Sequence, residues 1–232
     1  IERFGADTAR AYVMFAGPPV DSAVWSDSGA AGVQRFLRKL WTVCHDAAAA
    51  TAADPSQRFA AVDQSSLSAK QAAFRRAVYV TLRQALHDYS RVQYNTVVSA
   101  CMIMLNGLDN EEARGNTALR FEAISILLRT LYPIAPHATH ALWTELGFAA
   151  KHGDLLDAPW PAVEESALKQ DEIEVVVQVN GKLRSRITIP ATADQNTARD
   201  IALRDENVTR FIGDKPVRKV ILVPGKLLNL VV

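Results

Sequence analysis

The sequence has few cysteines, no long apolar run and almost no net charge. No apolar stretch approaches the roughly 18–20 residues that a helix needs to cross a bilayer, so we expect no membrane partner. The only two cysteines, Cys44 and Cys101, stand in apolar, helix-like surroundings and are too few for a disulfide scaffold. We therefore expect two reduced, buried thiols in a cytoplasmic protein.

An initiating methionine is also lacking. The chain opens with Ile1-Glu2-Arg3-Phe4, which is neither a translation start nor a basic-then-apolar signal segment. We therefore expect a processed or truncated piece of a longer protein. Because 49% of the residues are hydrophobic and 22% are charged, we expect an ordinary folded chain rather than a disordered one. Its length allows one large or two smaller domains.

Neither sign of charge is in clear excess, since the sequence has 26 basic and 25 acidic residues. Net charge therefore gives no global signature of nucleic-acid binding, and an anionic partner would have to dock on a local patch. Two stretches, 181–190 and 215–226, hold basic side chains without an acidic one. Their cations are Lys182, Arg184, Arg186, Lys215, Arg218, Lys219 and Lys226.

Catalytic motifs are missing as well. The sequence contains no glycine-rich phosphate loop, no nucleophile elbow and no CxxC pair. His137 and His140 lie three residues apart on one predicted helix, but no third metal ligand is evident nearby. We therefore expect no catalytic residue, no metal site and no cofactor site in this chain.

What is present in residues 1–147 is helical periodicity. Apolar residues recur every three to four positions, which predicts a bundle of about six helices. Ser68 and Gln71 form a capping-box pattern at the start of the third helix. The other predicted helices are Ala6–Ala16, Ser28–Ala50, Asn95–Leu108, Asn116–Leu131 and Pro136–Leu146.

Beyond a predicted linker at 148–170, the apolar period changes from 3.6 to 2. Residues 171–232 then predict a small α+β domain of ββααββ order, so that the whole chain is mainly α with two domains. Thr192 and Gln195 predict the start of its first helix, and Pro224-Gly225-Lys226 is the predicted connection of its last two strands.

The Asn180-Gly181 pair predicts a hairpin between the first two strands. A two-residue loop would place the apolar side chains of one strand on the face that carries the cations of the other. We therefore predict a three-residue bulged loop, Val179–Gly181, which pairs Glu174 with Arg186 and Ile173 with Ile187.

In that register Lys182, Arg184 and Arg186 form a cationic stripe on the polar face of the sheet. Cations at every second residue suit the phosphate backbone of a nucleic acid. From spacing alone, however, a solvated strand that resists aggregation is the commoner explanation. Weaker candidates on the helices are Arg35, Arg38 and Arg76, where surface charges are routine.

Several segments resemble class I aminoacyl-tRNA synthetases. The opening stretch 2–10, ERFGADTAR, resembles the segment after the KMSKS catalytic loop of these enzymes. The stretches 14–18, 25–29 and 35–41 continue the pattern of the leucine enzymes, and 132–137 with 158–161 are similar to the end of their helical domain and its linker. The tail, at 177–184 and 218–231, is similar to the C-terminal domain of bacterial leucyl-tRNA synthetases.

The resemblance covers essentially the whole chain and implies an enzyme that attaches leucine to its tRNA with ATP. It places the sites for ATP, magnesium and leucine, and the editing domain, upstream of this chain, which is itself non-catalytic. The helical, so-called anticodon-binding domain would support the inner side of a leucine tRNA, and the small domain would reach the tRNA elbow. The implied protein is a monomer that binds neither DNA nor a membrane.

Carried onto this sequence, the resemblance makes the tail cations the first candidates for contact with the tRNA backbone: Lys182, Arg184, Arg186, Arg218, Lys219 and Lys226. Two alternatives stay open. The chain could be the equivalent region of an isoleucine or valine enzyme, because the opening segment is shared with them. It could also be a free-standing protein-interaction module, with which the near-zero net charge is consistent.

Overall fold

The chain forms two separately packed units, Ile1–Leu168 and Lys169–Val232. Their structure is a computed structural model that describes residues 2–22, 24–169, 172–213, 215–223 and 226–232. Among these residues, every helix is too short or too polar to cross a bilayer.

The first unit is a helical bundle, as predicted. Its six helices of ten or more residues correspond to the predicted ones and are α1 (Ala6–Phe15), α2 (Asp27–Ala50), α3 (Ala69–Ser90), α4 (Tyr94–Gly107), α6 (Thr117–Leu131) and α7 (Pro136–Glu145). Three short helices were not predicted, namely α5 (Glu111–Arg114), α8 (Phe148–His152) and α9 (Glu165–Leu168). Segments of four or five residues are too short for an apolar period to show.

Local side chains fix where the long helices begin. The predicted capping box is confirmed, since the Ser68 hydroxyl accepts from Gln71 N and the Gln71 side chain accepts from Ser68 N. Ser26 and Asn116 cap α2 and α6 with single hydrogen bonds, since their side-chain oxygens accept from Gly29 N and Leu119 N. Each cap satisfies a backbone N–H that has no partner within the helix and is worth about 1 kcal/mol.

The core of the bundle contains both cysteines, and Cys44 and Cys101 are completely buried. Burial raises the pKa of each thiol to about 12, because the apolar surroundings disfavour the thiolate.

We expect neither thiol to react with a thiol-specific disulfide reagent at pH 8, because the thiolate is the attacking species and the core excludes the reagent. Absorbance of the released chromophore measures this directly. The same protein unfolded in guanidinium should release two equivalents, and rapid labelling of the folded protein would contradict the burial of the pair.

The predicted linker at 148–170 is wrong for most of its length, because its apolar residues are part of the bundle core. Phe148, Leu155 and Ala167 are buried there. Phe148 stacks on Trp143 with ring centroids 4.6 Å apart, and Trp143 Nε1 donates to the Gly153 carbonyl at 3.0 Å. These buried residues are too widely spaced to produce a periodic signal, so the segment has the composition of a linker.

The second unit has the predicted ββααββ order. Its elements are β1 (Glu172–Val179), β2 (Lys182–Pro190), α10 (Gln195–Ala202), α11 (Glu206–Ile212), β3 (Lys219–Val223) and β4 (Leu227–Val231). The sheet order is β2-β1-β4-β3, in which only β1 and β4 are parallel. Asp194, rather than the predicted Thr192, caps α10. Pro224 and Gly225 of the predicted β3–β4 connection lie outside the described residues.

The β1–β2 hairpin differs from its prediction. Its loop has two residues, Asn180 and Gly181, at φ 51° and 77°. Glu174 pairs with Thr188 and Ile173 with Ile189, so the predicted pairings are wrong. Asn-Gly is the preferred sequence for a two-residue turn with two positive φ angles.

The extra residue that the side-chain pattern requires lies within β2 instead. Val177 pairs with Ser185 and Gln178 with Leu183, which leaves Arg184 unpaired as a β-bulge.

Candidate nucleic-acid interface

The sheet of the second unit has two different faces. One face packs on α10 and α11, and its side chains Val175, Val177, Ile187, Leu228 and Leu230 are buried. We call the opposite one the open face. By strand alternation it carries Glu174, Val176, Gln178, Leu183, Arg186, Thr188, Lys219, Ile221, Val223, Leu227, Asn229 and Val231.

Half of the side chains on the open face are aliphatic, and some of these are accessible. Leu183 is 59% exposed, and Ile221 and Val223 are each 38% exposed. Sequence reasoning missed this surface, although Ile221 and Val223 occur at every second position after Lys219 and therefore share its face. Exposed aliphatic side chains grouped on one face mark a surface suited to a partner.

Two cations stand at opposite edges of the open face. Arg186 is on β2 and Lys219 on β3, the two edge strands of the sheet. At a strand spacing of about 4.8 Å and a rise of about 3.3 Å per residue, the registers separate their Cα atoms by on the order of 20 Å. The two side chains can therefore contact different phosphates of one nucleic acid, with the aliphatic centre between them.

Arg186 is available for such a contact. Its Nη1 lies 3.2 Å from Glu174 Oε1, and the two side chains are 66% and 61% exposed. An ion pair this exposed is worth less than about 1 kcal/mol, so a phosphate can replace the carboxylate.

The predicted cationic stripe of Lys182, Arg184 and Arg186 is wrong, because the bulge interrupts strand alternation. The Arg184 guanidinium lies 3.7 Å from the ring centroid of Phe211 in α11, on the helix side of the sheet. Its neighbour Ser185 donates to Asp205 Oδ2 at 2.9 Å on the same side. Lys182 is exposed but pairs with the buried Val179. Of the three cations, Arg186 alone lies on the open face.

The other predicted cations of the tail are exposed at or beside the starts of β3 and β4. Arg218 precedes β3, and its backbone N–H donates to the Val231 carbonyl at 2.8 Å. Lys226 lies immediately before β4. Within the part of the chain that the structure describes, no ion pair involves Arg218, Lys219 or Lys226, so their charges are free to meet an anion.

On the bundle, Arg35 and Arg38 are exposed on one face of α2, together with Trp41 at 38% exposure. We call these three residues the α2 strip; their three-residue spacing aligns them along the helix. Neither arginine forms an ion pair among the described residues. By contrast, the adjacent Lys39 is held 2.6 Å from Asp109. The α2 strip thus combines two cations with an aromatic ring.

Arg76, the third candidate on the bundle, has a different environment. It is half-buried on α3, and its Nε donates to the Leu168 carbonyl at 3.2 Å. The structure therefore uses part of its guanidinium inside the bundle and does not place it beside Arg35 and Arg38, which belong to another helix.

The two histidines each have a carboxylate partner. His137 Nδ1 lies 2.8 Å from Asp7 Oδ1, and His140 Nε2 lies 2.9 Å from Asp154 Oδ2. Asp7 Oδ2 also accepts from Ala138 N at 2.7 Å and so caps the first turn of α7. The Asp7 contacts span 130 residues of sequence, and no local pattern indicates them.

Comparison with known proteins identifies the family. Residues 72–199, more than half of the chain, match the family described as the anticodon-binding domain of tRNA ligase. The chain belongs to this family. The resemblance found from the sequence motifs is thereby confirmed at the level of the family.

Relatives that are similar over the entire chain include leucine–tRNA ligases. That of Methylibium petroleiphilum is 52% identical and that of Ralstonia pickettii is 50% identical, each over 100% of this chain and 26% of the relative. The chain thus spans about a quarter of the length of these relatives. The relatives named here favour the leucine enzyme over the isoleucine and valine alternatives.

A solved structure shares the fold. It is the crystal structure of the ternary complex of Agrobacterium radiobacter K84 agnB2 LeuRS, tRNA and LeuAMS, with a TM-score of 0.82 and 23% sequence identity. The match covers 99% of this chain and 29% of that chain. A helical bundle followed by a small α+β domain is therefore an arrangement that this chain has in common with a known tRNA complex.

Proposed function

We propose that this chain is the tRNA-positioning part of a leucine–tRNA ligase, which joins leucine to its tRNA with ATP. The observation that carries the proposal is the open face of the small unit. It combines accessible aliphatic side chains with two separated cations, on a chain whose full length is similar to leucine–tRNA ligases.

The two kinds of side chain on the open face suit the two kinds of surface that folded RNA presents. Phosphates are anionic and take charge-assisted contacts from Arg186 and Lys219. Riboses and the flat faces of bases between the phosphates can pack on Val176, Leu227 and Ile221. Because neither contact depends on base identity, this face positions a tRNA by its shape, which is what contact with the tRNA elbow requires.

The α2 strip supplies a second point of contact in the proposal. Arg35 and Arg38 can each meet a phosphate, and the Trp41 ring can stack on a ribose or an unpaired base. Two contact surfaces on one chain define an orientation as well as a position. We propose that the bundle supports the inner side of the tRNA in this way.

In this proposal, the catalytic reaction takes place in other parts of the ligase. Leucine, ATP and magnesium bind to parts of the ligase beyond the quarter of its length that this chain represents. The chain contributes preorganisation, because a tRNA held firmly at a distance presents its acceptor end correctly to the active site. We take the complete ligase to be a cytoplasmic monomer whose nucleic-acid partner is leucine tRNA rather than DNA.

The salt dependence of tRNA binding tests the proposal. If about four phosphates are neutralised, the logarithm of the affinity of the complete ligase for leucine tRNA should fall with the logarithm of the salt concentration, at a slope of roughly −3 to −4. Filter binding over a series of potassium chloride concentrations measures the slope. A slope near zero would instead favour a protein-interaction module.

A further inference from the structure

The most completely buried charged side chain of the bundle belongs to Arg75 on α3, which is 2% exposed. All three nitrogens of its guanidinium donate hydrogen bonds. Nε and Nη2 donate to the two carboxylate oxygens of Glu122 at 2.8 and 2.7 Å, and Nη1 donates to Gln64 Oε1 at 2.7 Å. Nη2 also donates to Glu164 Oε2 at 2.6 Å.

Glu164 differs from the other partners because the arginine does not require it. The bidentate pair with Glu122 already neutralises the guanidinium, and Gln64 takes the remaining nitrogen. Glu164 is itself 47% exposed, whereas Glu122 is 21% exposed. Its bond to Arg75 therefore does little for the arginine, and its main effect is on the segment that carries Glu164.

That segment is the last of the bundle. Glu164 immediately precedes α9, a helix of four residues that ends at Leu168, and the second unit begins at Lys169. A helix this short is not stable through its own hydrogen bonds.

Contacts with α3 hold this segment in place. Arg75 binds Glu164 at its start, Arg76 Nε donates to the carbonyl of Leu168 at its end, and Ala167 is buried between them. Tyr79 also donates to Glu164 Oε2 at 3.4 Å. Two successive arginines of α3 thus secure both ends of α9.

We infer that Arg75 and Glu164 are positioning residues, which fasten α9 to the bundle and so fix the point from which the chain enters the small unit. The inference rests on the proposed function, in which both units hold one tRNA. Residues 169–171 connect α9 to β1, and release of 163–168 would lengthen that connection about threefold. Effective concentration falls with roughly the −3/2 power of tether length, so a longer tether weakens simultaneous binding by about fivefold.

The test uses Glu164→Ala in the complete ligase, because loss of Arg75 itself would disturb the core. We expect the KM for leucine tRNA to rise about fivefold. The kcat at saturating tRNA and leucine-dependent pyrophosphate exchange should stay unchanged, and the melting temperature should fall only slightly, because the Glu164 side chain is half exposed. The matched control is Glu165→Ala, which removes the same charge from the next residue, an exposed glutamate without an ion pair among the described residues.

Three outcomes would overturn the inference. They are an unchanged KM for Glu164→Ala, an equal rise for Glu165→Ala, and a loss of pyrophosphate exchange or a large fall in melting temperature that accompanies the rise in KM. The last outcome would make Glu164 a folding residue. Failure of the proposed function is recognised separately, because the unmodified ligase would then not bind leucine tRNA in a salt-dependent way.

Discussion

Replacing Arg75 with methionine should lower the free energy of unfolding of the helical unit by about 3 kcal/mol. Methionine keeps an apolar stem of similar length but removes every donor from the cluster. The carboxylates of Glu122 and Glu164 then lose the cation that compensates their burial. Both are partly exposed and can be rehydrated, so we expect a loss at the lower end of the range for broken buried ion pairs.

Urea unfolding followed by circular dichroism measures this loss as a lower midpoint at an unchanged slope. The matched control is Arg83→Met on the same helix, an exposed arginine without an ion pair among the described residues. If the two variants lose equal stability, the cluster around Arg75 is not what stabilises the bundle.

The loss of unfolding free energy in Arg75→Met should depend on pH, and its direction follows from the pKa of Glu164. Hydrogen bonds from Ser166 and then Arg75 hold the pKa of Glu164 below its ordinary value. A carboxylate with a lowered folded pKa stabilises the fold above its unfolded pKa, near 4.3, and this contribution is lost as the pH falls through the folded pKa. The difference in unfolding free energy between the unmodified protein and Arg75→Met should therefore be at its full value at pH 7 and should become smaller below about pH 4.

The Arg75 cluster also shows why part of the fold was not predictable from the sequence. Apolar periods of 3.6 and 2 predicted the long helices and the ββααββ order, and the Ser68–Gln71 cap is a local pattern. The carboxylate partners of Arg75 lie 47 and 89 residues away, and no local pattern pairs them with it. For the same reason the segment that contains Glu164 had the composition of a linker.

In the β1–β2 hairpin, the side-chain pattern predicted the strands but not the position of the extra residue. Face alternation correctly indicated one extra residue near the Asn180-Gly181 turn, but it did not indicate whether that residue belongs to the loop or to the strand. The turn adopted the geometry that Asn-Gly prefers, and the bulge moved to Arg184. That shift places Arg184 over Phe211 and separates it from Arg186, so the predicted site changed although the predicted strands were right.

Charge reversal on the open face should have the largest effect on RNA binding. We expect Arg186→Glu combined with Lys219→Glu to lower the affinity of the complete ligase for leucine tRNA about a hundredfold, because each lost phosphate contact costs about 1.4 kcal/mol, or a factor of ten. The salt slope should become shallower by about 2, one for each phosphate released. Filter binding measures both quantities, and the melting temperature checks that the small unit stays folded.

A control variant with the same change in net charge distinguishes direct phosphate contact from long-range electrostatic attraction. Arg204 and Arg210 are exposed residues of the helical layer, Arg204 between α10 and α11 and Arg210 within α11, away from the open face. Reversing both changes the net charge by the same amount, yet it should leave the salt slope unaltered and lower the affinity only slightly. If this control matches the open-face variant, the tRNA responds to total charge and not to the open face.

Arg184 supplies the decisive contrast, because it is close to Arg186 in sequence but lies on the other side of the sheet. Arg184→Ala removes the stacking of its guanidinium on Phe211 and should therefore lower the melting temperature of the small unit. Where the unit remains folded, tRNA affinity should be retained. A loss of affinity for Arg184→Ala as large as that for Arg186→Ala would mean that the RNA approaches the helical side, and the open face would not be the binding surface.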